Sequence, residues 1–321
     1  MTDTSPPERS IGVDIGGTKT LGVRLDSGGT LEQTTRQPTP AGPEAIIAGA
    51  VDMALQLGAA TSDCPIGVGV AGLLDDAGMM RRAPNLPGVV QVALGPPLRQ
   101  ALGRPVSLEN DANCAALAEV SLGAARGAHD VVVVTLGTGI GAGLVRDGRI
   151  HRGAHGLAGE PGHMVVDPHG PPCPCGGRGC WERYASGSGL GWLGRQAALA
   201  GRAPGLVEQA GGDPEQVRGE HVSAAATVGD PGAQAVLRDF AWWVALGVAN
   251  LVAILDPQMV VLGGGLARDI ALWIDDVRNA YADLVVASAE RPAVSIEPAR
   301  FGEEAVAVGA AFFAAQEHLH S

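Results

Sequence analysis

Short apolar runs alternate with longer segments of helical periodicity along most of the chain. The apolar runs are bounded by Gly, Asp or Pro and predict strands at 11–15, 20–25, 66–70, 106–110, 131–137 and 259–264. Apolar residues at helical spacing predict helices at 44–57, 111–125 and 233–255, and clusters of Pro and Gly predict loops at 168–179 and 202–214. This mixture indicates an α/β fold.

The most apolar long segment, residues 240–255, ends at Asp256-Pro257 and is shorter than the roughly 20 residues that cross a bilayer. It predicts a buried helix, followed by a turn and a strand. The first ten residues lack the charged and apolar regions of a secretory signal and predict a short disordered tail. We therefore expect a cytoplasmic protein with no membrane partner.

Composition narrows the choice of partner. The 321 residues are 46% hydrophobic and 17% charged, which is enough for a large core and two lobes. The net charge of −12 comes from 22 basic and 34 acidic side chains, without a basic cluster. Nucleic acid is therefore a poor partner, whereas backbone N–H groups can still bind a small phosphate-bearing ligand.

The stretch IGVDIGGTKT, residues 11–20, places two glycines directly after a predicted strand. The spacing from Gly12 to Gly17 is that of a P-loop, but Thr18 separates Gly17 from Lys19, and a hairpin rather than a helix follows. A P-loop is thus excluded, while an ordinary tight turn and a phosphate-binding turn both remain open. Lys19 is the sole lysine beside 21 arginines.

Two further glycine clusters follow predicted strands. Residues 137–143 read GTGIGAG between two apolar strands, and Gly263-Gly264-Gly265 follows MVVL. The first two loops suggest two related lobes that face one nucleotide, and the third can let a base or ribose lie against the backbone. Three such clusters at strand ends favour phosphate binding.

Polar residues fill the junction between the strand predicted at 106–110 and the following Ala-rich helix. One Asp or Asn is enough to cap a helix, yet Glu109, Asn110, Asp111 and Asn113 are all polar. Capping remains one interpretation. The other is that Asp111 is a general base for a substrate hydroxyl, with Asn110 and Glu109 orienting its surroundings.

Four residues of the types that bind metals occur within eighteen positions of the chain. His163, Cys173, Cys175 and Cys180 form the pattern H-x₉-C-x-C-x₄-C, which is typical of a structural tetrahedral zinc site. A disulfide among the three cysteines is the alternative, but it leaves one cysteine over and requires an oxidising compartment.

Together, the stretches DIGGTK, ENDAN, LGTGIGAG, GEPGH and CPCGGRGCWERYASG resemble the ROK family of sugar kinases and repressors, in particular bacterial ATP-dependent glucokinases. The resemblance spans roughly residues 11–315 and implies an actin/hexokinase-like (ribonuclease H-like) α/β fold of two lobes, with sugar and ATP in the cleft and a zinc-binding loop. It implies a tail at 1–10, a small lobe at 11–109 plus 299–321 and a large lobe at 110–298. It also suggests a dimer or tetramer.

The resemblance implies roles for individual residues. Asp111 would accept the proton of the sugar 6-hydroxyl as it attacks the γ-phosphoryl group, and Asp14 would lie near Mg²⁺. The phosphates would be surrounded by Gly16, Gly17, Thr18, Lys19, Gly137, Thr138, Gly139 and Gly141; the adenosine would rest near Gly263, Gly264 and Gly265; and the sugar would contact Asn85, Asn110, Asp111, Glu160, His163 and Glu182. His163 would hold zinc (Zn²⁺) through one ring nitrogen and meet a sugar hydroxyl with the other.

Two positions depart from the family pattern. Pro161 stands where an apolar residue is usual and can shift Glu160, and Ala142 stands where glycine is common and needs a negative φ.

The expected activity is ATP-dependent phosphorylation of a hexose, preferably glucose, at the 6-hydroxyl. The alternatives are a kinase for an amino or N-acetyl hexose, such as 3-amino-3-deoxyglucose, glucosamine or N-acetylmannosamine, and a non-catalytic sugar sensor. A DNA-binding repressor is disfavoured by the acidic chain and by the ten residues that precede the first strand. The three glycine loops disfavour a glycoside hydrolase, which needs paired carboxylates and no nucleotide site. Polyphosphate is disfavoured as the phosphoryl donor because the sequence shows no extended basic track that would bind it.

Overall fold

The computed structural model describes residues 9–75, 78–83 and 85–320. The strands are β1 (Arg9–Ile15), β2 (Lys19–Asp26), β3 (Leu31–Pro38), β4 (Ile66–Val70), β5 (Leu73–Leu74), β6 (Met79–Arg82), β7 (Val92–Ala93), β8 (Ser107–Asn110), β9 (Val131–Leu136), β10 (Ile140–Arg146), β11 (Arg149–Ile150), β12 (Met259–Gly263) and β13 (Ser295–Pro298). The helices are α1 (Pro43–Gln56), α2 (Gly95–Leu102), α3 (Asp111–Leu122), α4 (Glu182–Ala185), α5 (Gly187–Leu199), α6 (Pro204–Gln209), α7 (Gly219–Thr227), α8 (Pro231–Leu255), α9 (Ile274–Leu284) and α10 (Ala305–His320).

All six predicted strands and all three predicted helices are confirmed, with shifts of a few residues at their ends. Two predictions were wrong in part. Arg9 and Ser10 were assigned to the tail but pair with β2 as the start of β1, and residues 1–8 of that tail lie outside the described residues. The loop predicted at 202–214 contains α6, which begins with a proline at its first position, where no backbone N–H is needed.

Two five-stranded sheets repeat one strand order. The first runs β3-β2-β1-β4-β8 and the second β11-β10-β9-β12-β13, so each places its first strand at the centre. In the first sheet, β1 is antiparallel to β2 and parallel to β4, and β4 is parallel to β8. The carboxyl ends of β1 and β8 therefore lie on the same edge, which is where Asp14 and Asp111 occur.

Helix α10 lies unusually close to the first sheet. A Cβ at Gly12 would be 1.8 Å from the carbonyl oxygen of Ala307, and one at Gly67 would be 1.9 Å from that of Ala310. Because only a residue without a side chain fits under the helix at these two positions, Gly12 serves helix packing. The other side of this sheet is covered by α1 and by a buried cluster that includes Met53 and Leu57.

The chain divides into two compact units, whose bounds differ from those of the predicted lobes. The first lies within Met1–Val133, Gly143–Gly159 and Glu303–Ser321, and the second comprises Val134–Ala142 and Glu160–Gly302. The first unit extends past the boundary predicted at 109/110, because α3 packs tightly against α10: a Cβ at Gly309 would be 1.7 Å from the carbonyl oxygen of Cys114. Residues 143–159 were assigned to the large lobe, but Arg152 forms an ion pair with Glu109 of the first unit.

Helix α8 is the central helix of the second unit. By length and composition it is the one helix among the described residues that is apolar enough to cross a membrane. However, twelve of its residues are buried, and Trp181 packs so closely on it that a Cβ at Gly247 would be 1.9 Å from the indole. These contacts are those of a core helix, as the sequence predicted.

Candidate active site

The glycine turn of the first unit joins β1 to β2. The N–H of Gly16 donates to the carbonyl oxygen of Lys19 over 3.1 Å, and the Thr39 hydroxyl donates to the carbonyl oxygen of Gly16 over 2.7 Å. A Cβ at Gly17 would lie 2.8 Å from Asn85, so the structure brings predicted sugar residue Asn85 next to the turn. Thr18 is exposed at its tip.

Lys19 forms an ion pair that the sequence did not reveal. Its Nζ is 2.7 Å from an oxygen of Glu303, and Arg36 binds the same oxygen at 2.6 Å. The hydrogen bond from Lys19, together with the nearby charge of Arg36, lowers the pKa of Glu303. Nothing in the spacing of these residues connects a lysine near the start of the chain with a glutamate near its end.

Asp14 lies at the carboxyl end of β1 and is 9% exposed. Burial raises the pKa of Asp14 to about 8, and the negative charge of Asp111 adds to the rise while Lys19 opposes it. In the free protein at neutral pH, the Asp14 carboxyl therefore holds a proton. A divalent cation at this position would displace that proton.

Asn110 and Asp111 join β8 to α3. The Asn110 side-chain oxygen caps the helix by accepting from the N–H groups of Ala112 and Asn113, at 2.9 and 3.1 Å. Its amide donates to Oδ1 of Asp111 over 3.0 Å and to the carbonyl oxygen of Gly72 over 2.9 Å. Asp111 Oδ1 also accepts the N–H of Ala112. The capping interpretation thus holds for Asn110, whereas Asp111 is the first residue of the helix and is partly exposed.

Glu109 lies beneath this turn, and 4% of its surface is exposed. One carboxylate oxygen accepts the N–H of Asn110 and the side-chain amide of Asn113, each at 2.9 Å. The other accepts from Nε of Arg152 at 2.8 Å and also from its Nη2. Sequence reasoning missed Arg152, because no local pattern links it to a residue 43 positions earlier.

The second glycine loop is shorter than the sequence suggested. It consists of Gly137, Thr138 and Gly139, because β10 already begins at Ile140 and contains Gly141. Gly143 belongs to helix packing in the first unit: a Cβ there would be 2.4 Å from Cβ of Ala116.

Contacts within the second unit hold this loop in place. The N–H of Gly187 donates to the carbonyl oxygen of Gly137 over 2.8 Å, and the Ser188 hydroxyl donates to that of Thr138 over 3.0 Å. Ala142 is buried in β10 and is not among the residues with positive φ, so its departure from glycine causes no strain.

Glu182 lies between this loop and the cysteine cluster. A Cβ at Gly139 would be 2.8 Å from its Oε2. Its Oε1 accepts from the Cys173 thiol at 3.2 Å and is 3.7 Å from Nδ1 of His163. Glu182 therefore contacts both a predicted phosphate loop and a predicted metal ligand.

The four predicted metal ligands converge. The ligand atoms of His163, Cys173, Cys175 and Cys180 all lie within 4.8 Å of one another. The Sγ atoms of Cys175 and Cys180 are 3.7 Å apart, and Cys173 Sγ is 3.9 Å from His163 Nδ1. All five cysteines of the chain are free, so no disulfide occupies this loop.

The spacing of these atoms suits a tetrahedral zinc ion. Two sulfurs at about 2.3 Å from a tetrahedral centre are about 3.8 Å apart, close to the 3.7 Å between the Sγ atoms of Cys175 and Cys180. Thiolates are the form that binds the metal. The N–H of Gly177 lowers the pKa of Cys175, whereas burial raises the pKa values of Cys173 and Cys180, so a bound metal would displace the protons of these two thiols. Three sulfurs and one imidazole form a closed, structural set of donors.

Glu160 precedes the short 3-10 turn Pro161–His163. Its Oε2 is 4.0 Å from Nε2 of His163, the nitrogen opposite the one nearest Cys173. Burial raises the pKa of Glu160, as does Glu182, while His163 lowers it. Pro161 is the first residue of the turn, where a missing N–H costs nothing, so it is compatible with the close approach of Glu160 and His163.

The third glycine cluster follows β12. Gly264 has a φ of 84°, and a Cβ there would be 2.6 Å from the carbonyl oxygen of Leu136, so only glycine suits this position. Around Gly265, by contrast, no described atom outside the residue's immediate chain neighbours and its own helical turn lies within 4 Å of the position of a Cβ. The backbone at Gly265 is therefore open to a ligand, while Gly263 contacts Ala299.

Residues 10–317 match the ROK family over almost the whole chain. The chain belongs to the ROK family. It is 37% identical over 305 residues to a glucokinase of Streptomyces coelicolor, with 94% of this chain and 96% of that protein covered. It is 33% identical over 313 residues to an N-acetylmannosamine kinase of Citrobacter koseri, with 95% and 98% covered.

A solved structure of this family is similar in fold. The ROK family glucokinase from Streptomyces griseus, in complex with glucose and AMPPNP, matches with a TM-score of 0.85 and 36% identity, covering 96% of this chain and 99% of that one. The predicted family and its actin/hexokinase-like α/β fold are thereby confirmed.

Proposed function

We propose that this ROK protein is an ATP- and Mg²⁺-dependent hexose 6-kinase that prefers glucose. The proposal rests on the position of Asp111, a partly exposed carboxylate that Asn110 holds at the start of α3. It is supported by the similarity of the chain to a glucokinase over nearly its full length. Asp111 accepts the proton of the sugar 6-hydroxyl while that oxygen attacks the γ-phosphoryl group of ATP.

Phosphoryl transfer depends on positioning and on charge neutralisation more than on covalent catalysis. The Gly16–Lys19 turn and the Gly137–Gly141 segment surround the phosphates. The N–H groups of Gly16 and Gly137 are used within these loops, so the other loop N–H groups bind phosphate oxygens, and Lys19 supplies a positive charge. The open backbone at Gly265, with Gly263 and Gly264, receives the adenosine. When bound near Asp14, Mg²⁺ would neutralise phosphate charge, and a carboxylate oxygen is the donor that this ion prefers.

The remaining predicted residues bind the sugar. Asn85, Asn110, Glu160, His163 and Glu182 supply hydrogen-bonding groups of both kinds, acceptors on the carboxylates and donors on the amides and the imidazole. The three that lie in the second unit are close together: His163 is 4.0 Å from Glu160 and 3.7 Å from Glu182.

The cysteine cluster holds a structural zinc ion in this proposal. With Nδ1 of His163 on the metal, Nε2 is left to meet a sugar hydroxyl beside Glu160. The metal then fixes the ring of a sugar-binding residue, which links the zinc site to substrate specificity. The cytoplasmic location and the dimer or tetramer stay predictions.

A kinase for N-acetylmannosamine or another amino or N-acetyl hexose is the second candidate. It is favoured by the 33% identity to the Citrobacter koseri enzyme over 95% of this chain. Both candidates share the same mechanism, since an added amine or acetamide changes contacts around the sugar ring and leaves the 6-hydroxyl in place.

Substrate profiling distinguishes these candidates. ADP release from ATP and Mg²⁺ would be measured with glucose, glucosamine, 3-amino-3-deoxyglucose and N-acetylmannosamine, and 6-deoxyglucose serves as the matched control without the reacting hydroxyl. We expect the highest kcat/KM with glucose and no turnover of 6-deoxyglucose. A higher kcat/KM with an amino or N-acetyl sugar supports the second candidate, and no turnover of any sugar contradicts both in favour of a sensor.

A further inference from the structure

Arg152 is fixed on two sides within the first unit. Its guanidinium donates through Nε and Nη2 to one oxygen of the buried Glu109, and it lies over the ring of Phe313, 5.4 Å from the centroid. A planar guanidinium suits both contacts at once, which the compact ammonium of lysine does not.

Glu109 passes this constraint on to the α3 turn. Its other oxygen accepts the backbone N–H of Asn110 and the side-chain amide of Asn113. Asn110 in turn donates to Asp111 and caps the helix. A continuous set of hydrogen bonds thus runs from Arg152 through Glu109 and Asn110 to the proposed base.

The buried carboxylate requires a cation. Glu109 is 4% exposed, and an ionised carboxylate removed from water is stable only when it is paired and hydrogen-bonded. Arg152 pairs with it. Arg152 belongs to the segment 143–159 of the first unit, which lies after β9 in the chain and ends just before Glu160. Without this guanidinium, Glu109 draws in water or moves toward solvent, and the N–H of Asn110 loses its acceptor.

We propose that Arg152 is a positioning residue for phosphoryl transfer: by holding Glu109, it fixes the orientation of Asn110 and Asp111. This inference rests on the proposed function for its kinetic consequence, but its structural consequence is independent of any activity. Arg152 acts through Glu109 and does not touch the reacting atoms.

The kinetic test compares Arg152→Met with Arg152→Lys and with the double variant Arg152→Met/Glu109→Gln. We expect Arg152→Met to lower kcat by about 10- to 100-fold, a loss typical of a displaced catalytic group, with a smaller effect on the KM for ATP. Arg152→Lys keeps the charge and recovers part of the rate. Glu109→Gln, added to Arg152→Met, recovers most of it, because a neutral amide oxygen still accepts from Asn110 and no unpaired charge remains.

Amide hydrogen exchange gives a readout that does not need turnover. The N–H groups of Asn110, Ala112 and Asn113 should exchange faster in Arg152→Met and recover in the double variant. Arg149→Met, an exposed arginine three residues away, is the control and should change neither kcat nor exchange. If Arg152→Met does not fold, Arg152→Lys and the double variant carry the comparison.

Two results overturn the inference. Unchanged exchange at Asn110, Ala112 and Asn113 in Arg152→Met shows that Arg152 does not hold the turn. A loss of kcat that Glu109→Gln fails to recover shows that Arg152 acts elsewhere. Failure of the proposed function looks different, since the wild-type protein then releases no ADP with any sugar, and exchange alone decides whether Arg152 holds the turn.

Discussion

Asp14 should make the free protein less stable as the pH rises. The folded chain holds a proton on this buried carboxyl up to about pH 8, whereas the unfolded chain loses it near the ordinary pKa of 3.8. Between these two values the folded state binds more protons than the unfolded state, so the free energy of unfolding falls with rising pH. Above about pH 8 both states are ionised and the loss is complete.

The size of the effect follows from the two pKa values. They differ by about 4 units, and each unit corresponds to about 1.4 kcal/mol, which gives up to about 6 kcal/mol in total. About 4 kcal/mol of this loss falls between about pH 5 and pH 8.5. Asp14→Asn replaces the protonated acid by a neutral group of the same shape and removes this dependence. The unfolding free energy of Asp14→Asn minus that of the wild type should therefore increase by about 4 kcal/mol from about pH 5 to pH 8.5.

The probe must report on the first unit. All five tryptophans, at positions 181, 192, 242, 243 and 273, belong to the second unit, so fluorescence follows the wrong part of the chain. Hydrogen exchange of β1 amides, without nucleotide or added Mg²⁺, follows the first unit directly.

The control for this experiment is Asp26→Asn. The N–H of Thr30 lowers the pKa of that partly exposed acid, so its contribution is present above the unfolded pKa and is lost only in acid. If the difference in unfolding free energy between Asp14→Asn and the wild type is the same at high and at low pH, ionisation of the buried Asp14 does not destabilise the folded state as the structure implies.

Two other substitutions test the nucleotide and metal assignments. Lys19→Ala should raise the KM for ATP several-fold without changing the melting temperature, because a partly exposed ion pair such as Lys19–Glu303 contributes only about 0–1 kcal/mol to stability. Arg36→Ala also frees Glu303 from a cation and should leave this KM unchanged; an unchanged KM in Lys19→Ala refutes the nucleotide role. Cys175→Ser should purify with less than one equivalent of zinc and with altered tryptophan fluorescence, since Trp181 follows Cys180. Cys64→Ala, at a buried cysteine of the first unit, should retain the metal, and tight stoichiometric zinc in Cys175→Ser would count against the ligand assignment.

Local patterns in the sequence predicted the parts of the structure that are local in the chain. Apolar runs located β1, β4 and β9, because a strand that is buried on both faces leaves a continuous apolar run, and helical periodicity located α8. The convergence of the four predicted metal ligands was also predictable, because His163, Cys173, Cys175 and Cys180 lie within eighteen residues of the chain.

Pairings between distant residues left no such trace. The ion pairs Arg152–Glu109 and Lys19–Glu303 are formed by the fold and have no spacing that identifies them. Glycine was ambiguous for another reason: Gly12 and Gly143 make room for a helix, whereas Gly16 and Gly137 lie in turns, and the residue type is the same. The limits of the two units depend on how α3 packs on α10, which no pattern within α3 could predict.

Steady-state kinetics of Asp111→Ala test the central claim most directly. ADP release with glucose, ATP and Mg²⁺ would be compared with the wild type and with Asp52→Ala, which removes an exposed carboxylate from α1. If Asp111 is the general base, kcat falls by about 10²- to 10⁴-fold in Asp111→Ala and stays at the wild-type value in Asp52→Ala. A near-wild-type kcat in Asp111→Ala would contradict this assignment and return Asp111 to a structural role at the start of α3.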